Sequence, residues 1–156
     1  LAEYATQSDA YDSPLNYDAD YYHVFLGADM APINFGIGFE SLGSDNGVGF
    51  RTPLATLHAF NGFADKFLGT PAGGLQDFYV TAGAKLPAGF GLKLFYHRFS
   101  ADDDSFGPDQ YGDEFDVVLA KKINDNVSIL SKFAYYSADE FATDTTRFVA
   151  ELNFKF

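Results

Sequence analysis

The last ten residues of the chain alternate with a period of two. Phe148, Ala150, Leu152, Phe154 and Phe156 fall in one set. Arg147, Glu151, Asn153 and Lys155 fall in the other, where Val149 is the only apolar member. Successive side chains of a strand point to opposite faces, so this segment predicts a strand with one greasy and one hydrated face. The pattern recurs upstream. Ile33, Phe35, Ile37 and Phe39 oppose Asn34, Gly36, Gly38 and Glu40, and Phe78, Val80, Ala82, Ala84 and Leu86 oppose Asp77, Tyr79, Thr81, Gly83 and Lys85. A chain made of such segments folds as sheet and must find a place for its apolar face.

This reading gives eight strands, over 1–8, 21–30, 33–42, 75–86, 91–100, 112–123, 127–137 and 145–156. The connections run long, short, long, short, long, short, long. Pro32 and the Asn124-Asp125-Asn126 run mark tight turns. The long connections collect acids, among them Asp9, Asp12, Asp18, Asp20, Asp45, Asp109, Asp139, Glu140 and Asp144. Strands near ten residues suit the ~9–11 that a tilted strand needs to cross a bilayer core. Long outer loops and short inner turns are the plan of outer-membrane barrels. The terminal aromatic, Phe156, resembles the C-terminal signal of bacterial outer-membrane barrels, which implies the barrel assembly machinery as a partner. The expected fold is all-β: an antiparallel transmembrane β-barrel with eight strands in this chain, either a complete small barrel or the C-terminal part of a larger one. A soluble lipocalin-type barrel, with its apolar faces turned inward, is the opposite solution to the same alternation.

A length of 156 residues suits one domain, 1–156. No run approaches the ~20 apolar residues of a membrane-spanning helix, but transmembrane strands need none. The 18 Phe and 10 Tyr could form aromatic girdles at two interfaces. The absence of Cys excludes a disulfide framework and thiol chemistry. A net charge of −12 argues against nucleic acid as a partner. With no initiator Met and no signal peptide, the chain is expected to be mature, processed or a fragment. His23, His58 and His97 lack metal-ligand spacing, and no nucleophile stands beside a base, so neither an enzyme nor a cofactor is expected. Asp102-Asp103-Asp104 is a weak candidate for a divalent cation, without the spacing and glycine of a dedicated calcium loop. A solvated acidic loop, or bridging to lipopolysaccharide through divalent ions, fits the same run.

One connection carries a helical pattern. Thr52 can cap, Pro53 suits the first helical position, and Leu54, Leu57, Phe60, Ala64 and Phe67 recur at helical spacing before Gly69 and Pro71. A helical insertion is expected near 52–68, either folded inward as a constriction lined by Leu54, Leu57, His58, Phe60, Phe63 and Phe67, or resting on the rim. The run Thr52-Pro53-Leu54-Ala55-Thr56-Leu57-His58-Ala59-Phe60-Asn61-Gly62-Phe63-Ala64-Asp65-Lys66-Phe67 resembles a signature of the alginate-export-like outer-membrane porin family. Residues 16–22, 45–50, 75–80 and 141–145 are also similar, in order. The resemblance covers nearly the whole chain and corresponds to the C-terminal part of longer family members. It implies an outer-membrane barrel whose named member exports an acidic polysaccharide through a basic pore. This chain departs from the family in supplying fewer strands.

If the apolar faces look outward, parity assigns an inner set. Its basic members are Lys85, Lys93, Lys132, Arg147 and Lys155, with His97 beside them; Glu40, Asp77, Glu114, Asp116 and Glu151 are the counter-charges. A basic stripe favours anions and attracts carboxylated polymers. Alternatively these charges pair off and fill a closed interior. The expected function is porin-like passive passage of hydrophilic, anionic solutes or acidic polysaccharide across a Gram-negative outer membrane, with the lipid bilayer and lipopolysaccharide as partners. The alternative is a non-transporting structural barrel that presents surface loops or joins a larger assembly.

Overall fold

The computed structural model describes residues 1–54 and 61–156. Its strands are β1 (Ala2–Ser8), β2 (Asp18–Met30), β3 (Ile33–Leu42), β4 (Ser44–Asp45), β5 (Val48–Gly49), β6 (Leu75–Lys85), β7 (Phe90–Ser100), β8 (Gln110–Lys122), β9 (Val127–Ala138) and β10 (Thr145–Phe154). Eight of them form one antiparallel sheet in the order β1-β2-β3-β6-β7-β8-β9-β10. These are the eight segments that alternation marks out; β2 begins earlier, at Asp18, and β8 at Gln110. The short β4–β5 hairpin is additional. Its two-residue turn is Asn46-Gly47, both at positive φ (52° and 75°), the favoured chemistry for a tight hairpin.

The sheet is open. β1 pairs with β2 and β10 with β9, and the two edges do not pair with each other. Closure of these eight strands into a complete small barrel is therefore corrected. An eight-stranded barrel has room for little beyond its own side chains, whereas here one face also carries described residues of the 50–74 connection, among them Asn61, Phe63, Ala64 and Phe67, which form a strap.

The two faces differ in chemistry. Register aligns Leu26, Ile37, Val80, Tyr96, Phe115 and Tyr135 in one cross-strand row. The next row holds Ala28, Phe35, Ala82, Leu94, Val117, Phe133 and Phe148. This outer face is bare: Phe35 is 44% exposed, Phe78 42% and Phe148 68%. Along β8 its apolar stretch is bracketed by Asp113 and Lys121, which are about 26 Å apart at ~3.3 Å per residue. The inner rows read Glu40–Asp77–Phe99, then Tyr79–His97–Glu114–Tyr136, then Phe95–Asp116–Ala134–Arg147, then Lys93–Val118–Lys132–Val149. Asp77, His97, Glu114, Asp116 and Tyr136 on that face are all buried.

What buries them is the strap. Ala64 and Phe67 join Leu42, Leu75, Phe99, Tyr111, Ala134 and Tyr136 in one core cluster. Phe67 lies with its ring centroid 4.5 Å from Phe99, 5.4 Å from Phe141 and 5.7 Å from Tyr111. The helical insertion is corrected over its described part: 61–68 runs as bends, not helix. Gly62 at φ 80° and Asp65 at φ 59° are incompatible with helical dihedrals. The remainder of that expectation, including Leu57, His58 and Phe60, lies outside the described residues.

Candidate functional site

The strap meets the inner face over a cluster of ionisable groups. Asn61 Nδ2 donates to Glu40 Oε2 at 2.9 Å and to Asp77 Oδ2 at 3.3 Å. The backbone N–H of Ala64 donates to Glu114 Oε1 at 2.7 Å. Tyr21 Oη donates to the other oxygen of Glu40 at 2.8 Å. Strand alternation puts these carboxylates on one face, and antiparallel register brings them to neighbouring levels. The strap then supplies donors that a sheet saturated by its own ladder cannot.

His97 lies at the centre. Its Nδ1 is 2.9 Å from Asp77 Oδ2, and its Nε2 is 3.8 Å from Asp116 Oδ2. Its ring stacks with Phe99 at 5.4 Å, Tyr79 at 5.5 Å and Phe95 at 6.1 Å. Both imidazole nitrogens thus face carboxyl groups rather than a hydroxyl. Tyr79 reaches across β3 so that its Oη and His23 Nε2 are 2.7 Å apart. Gly38 makes this reach possible, because a Cβ there would sit 2.2 Å from the Tyr79 ring. At the long-connection end, Tyr136 Oη donates to the Tyr111 carbonyl at 2.6 Å and Tyr111 Oη to the Gly74 carbonyl at 2.8 Å. These two bonds tie loops to strands beside the cluster.

The basic residues occupy other ground. Lys85 and Lys93 are exposed toward the short-turn end. Lys132 stands 4.9 Å over the Phe63 ring and 4.0 Å from Glu151 Oε1. Arg147 pairs with Asp65 of the strap. Lys155 lies beyond β10, with its backbone bonded to Asn126. His97, grouped with the cations by parity, sits instead among the acids. Of the strap residues, Phe63 and Phe67 pack inward, with Phe63 edge-on to Phe95 at 5.7 Å, while Leu54 is 98% exposed.

Asp102 accepts from Ser44 N and Gln76 Nε2, both at 3.1 Å. Asp103 accepts from Ser105 N at 2.9 Å. Their oxygens serve loop bonds. Among the described residues no three His, Asp or Glu groups are arranged to hold a metal ion. The inner set drawn from the sequence leaves out Glu3, Tyr21 and Tyr136, which obey the same parity as Asp77 and Glu114, and it gives no site role to His23, weighed only as a metal ligand, or to Tyr79, placed on the Asp77 face. It also passed over Asn61, Gly62 and Asp65, for which periodicity offers no signal. The chain, compared with protein-family models, curated proteins and solved structures, matches none of them.

Proposed function

We propose that this chain forms wall of an antiparallel β-barrel in a bacterial outer membrane and serves porin-like passive passage of hydrophilic solutes. One observation carries the reading: the sheet is apolar where it is bare and ionisable where it is covered. Rows led by Leu26 and Ala28 lie exposed, while Asp77, Glu114 and Asp116 are buried. In water that inversion is unfavourable, since exposed apolar patches this continuous seek a partner. In a bilayer it is the stable arrangement. The ~26 Å outer stretch of β8 also suits an apolar band of ≈ 25 Å. Unpaired strand edges are not tolerated in lipid, so in this reading β1 and β10 pair with further strands. The resemblance to alginate-export-like porins belongs to this proposal, and with Lys85, Lys93 and Lys132 it supports anionic cargo at the short-turn end.

The second reading, a non-transporting structural barrel, draws support from the strap, whose Phe63 and Phe67 fill inner space. The sequence contains no Trp, so single Trp probes report cleanly. In vesicles of brominated lipid, Phe115→Trp is expected to be quenched and Tyr79→Trp spared. Equal quenching of both, or of neither, sinks the bilayer assignment. Conductance steps in planar bilayers then separate a pore from a filled barrel.

A further inference from the structure

Three carboxyl groups lie under the strap almost out of reach of water: Asp77 and Asp116 are 0% exposed and Glu114 is 1% exposed. Glu114 and Asp116 stand two residues apart on β8, so both point inward. They are hydrogen-bonding neighbours, and the Phe63 backbone is a further partner of Asp116. The next strap residue, Ala64, donates its N–H to Glu114 at 2.7 Å. Two consecutive strap residues are thus seated on one carboxyl pair.

An ionised carboxylate only accepts, so a hydrogen bond between two carboxyls needs a proton on one of them. Positive charge does not take its place here. His97 stands 2.9 Å from Asp77 and 3.8 Å from Asp116, and one imidazole does not offset three buried carboxyls. Lys132 is 4.0 Å from Glu151, Arg147 pairs with Asp65 of the strap, and Lys66 lies over the Tyr136 ring. Glu40 on β3 adds another acid, held by Tyr21 and Asn61. Two ionised carboxyls side by side and out of water repel each other and lack hydration. The stronger amide bond that a charged Glu114 would accept is the smaller effect.

We infer that the strap is a proton-dependent latch: it stays seated while Glu114 and Asp116 share one proton, and it lifts from the inner face when that proton passes to solvent. In the released form both carboxyls meet water and are ionised above about pH 5. The seated form therefore holds one more proton than the released form. Rising pH then favours release, by about tenfold in the equilibrium per pH unit. The inference goes beyond passage of hydrophilic solutes. It concerns the strap and the sheet alone and stands whether or not the outer face meets lipid.

The test is trypsin cleavage after Lys66 in the folded full chain between pH 6.5 and 9, below the range where tyrosine and lysine titrate. At each pH the rate is divided by that of a free peptide carrying the same site, so that it reports the released population. The quotient should rise about tenfold per pH unit, while far-ultraviolet circular dichroism shows the sheet intact. Asp116→Asn keeps the shape, removes one of the two charges and should flatten the rise. Should that variant fail to fold, Glu114→Gln carries the same test. A quotient in the parent chain that is flat or falls with pH overturns the inference. So does a rise that the substitution leaves undiminished, which would assign the response to His97 or another group. Loss of the strand signal together with cleavage also overturns it, since the sheet and not the strap would then be responding. A latch that works in a chain that does not enter lipid upholds this inference and removes the outer-membrane reading.

Discussion

The backbone N–H of Ala64 donates to Glu114 Oε1 at 2.7 Å, so a buried carboxylate of β8 holds the strap across 50 residues of sequence. Loss of that acceptor strands a buried amide and should cost about 2–3 kcal/mol in Glu114→Ala. Glu114→Gln keeps an acceptor and should cost less. Lys66, whose ammonium lies 5.5 Å over the Tyr136 ring, supplies the assay. Trypsin should cut after Lys66 faster in Glu114→Ala than in the parent chain. Identical cleavage rates would mean that the strap is held by other contacts.

Gly62 tests the same junction from the other side. Its φ is 80°, and an added Cβ would come within 2.5 Å of the Glu114 carboxylate. Gly62→Ala thus combines backbone strain with a clash and should destabilise by roughly 1–3 kcal/mol. Gly69, seven positions on in the same strap, has nothing within 4 Å of such a Cβ, so Gly69→Ala should stay within about 0.5 kcal/mol. Urea unfolding of the two variants measures the contrast, and equal midpoints would refute it.

These contacts divide what the sequence discloses from what it hides. Alternation alone puts Asp77, His97, Glu114 and Asp116 on one face, because side-chain parity within a strand is fixed by geometry. Parity is silent on level, which depends on register between strands. His97 therefore looks like a partner of the lysines on paper, yet cross-strand pairing sets it beside Glu114 and two strands from Glu40. The strap is opaque for a different reason. Ala64 and Phe67 do recur at helical spacing, but Gly62 and Asp65 take positive φ, and tertiary packing overrides the local pattern. The open edges were equally hidden, since alternation does not record what an edge strand pairs with.

Phe67 anchors the strap to the sheet. It is 7% exposed and touches the rings of Phe99, Tyr111, Tyr136 and Phe141. Phe67→Ala removes this packing and leaves a void, at a cost of about 3–5 kcal/mol. Phe67→Leu should lose much less. Because Tyr111 and Tyr136 line the same cluster, near-ultraviolet circular dichroism should weaken in Phe67→Ala while the far-ultraviolet strand signal persists. Simultaneous loss of both signals would show that the strap is a prerequisite of the sheet, not an addition to it.

Asp103 gives a pH dependence outside the strands. Its carboxylate accepts from Ser105 N at 2.9 Å and caps the short turn Asp104–Phe106. This bond holds its pKa below the ordinary 3.8. Since the folded value is depressed, the contribution is complete above the ordinary value and is lost as pH falls through the lower folded one. The residue is half-buried in a surface loop, and the effect is confined to that loop. Hydrogen exchange at the Ser105 amide should accelerate, relative to neighbouring amides, only in that acid range. Asp103→Asn, which keeps a neutral acceptor, should abolish the pH dependence. A Ser105 amide that responds identically in both chains would remove the assignment.

Val117 and Val118 are consecutive on β8 and face opposite ways. Val117 lies between Leu94 and Phe133 in the outer row, and Val118 between Lys93 and Lys132 in the inner row. The same substitution should therefore have opposite consequences. Val117→Asp places a charge near the middle of the proposed lipid face and should cost about 2 kcal/mol or more in vesicles. Val118→Asp gains two lysine neighbours and should be close to neutral, within about 1 kcal/mol. Folding into lipid vesicles, followed by urea titration, reads both. In a soluble barrel with its apolar face inward Val117→Asp would also be the costly variant, but that row is bare here, so in water both variants would be tolerated. Equal tolerance in vesicles would therefore mean that the outer face does not meet hydrocarbon.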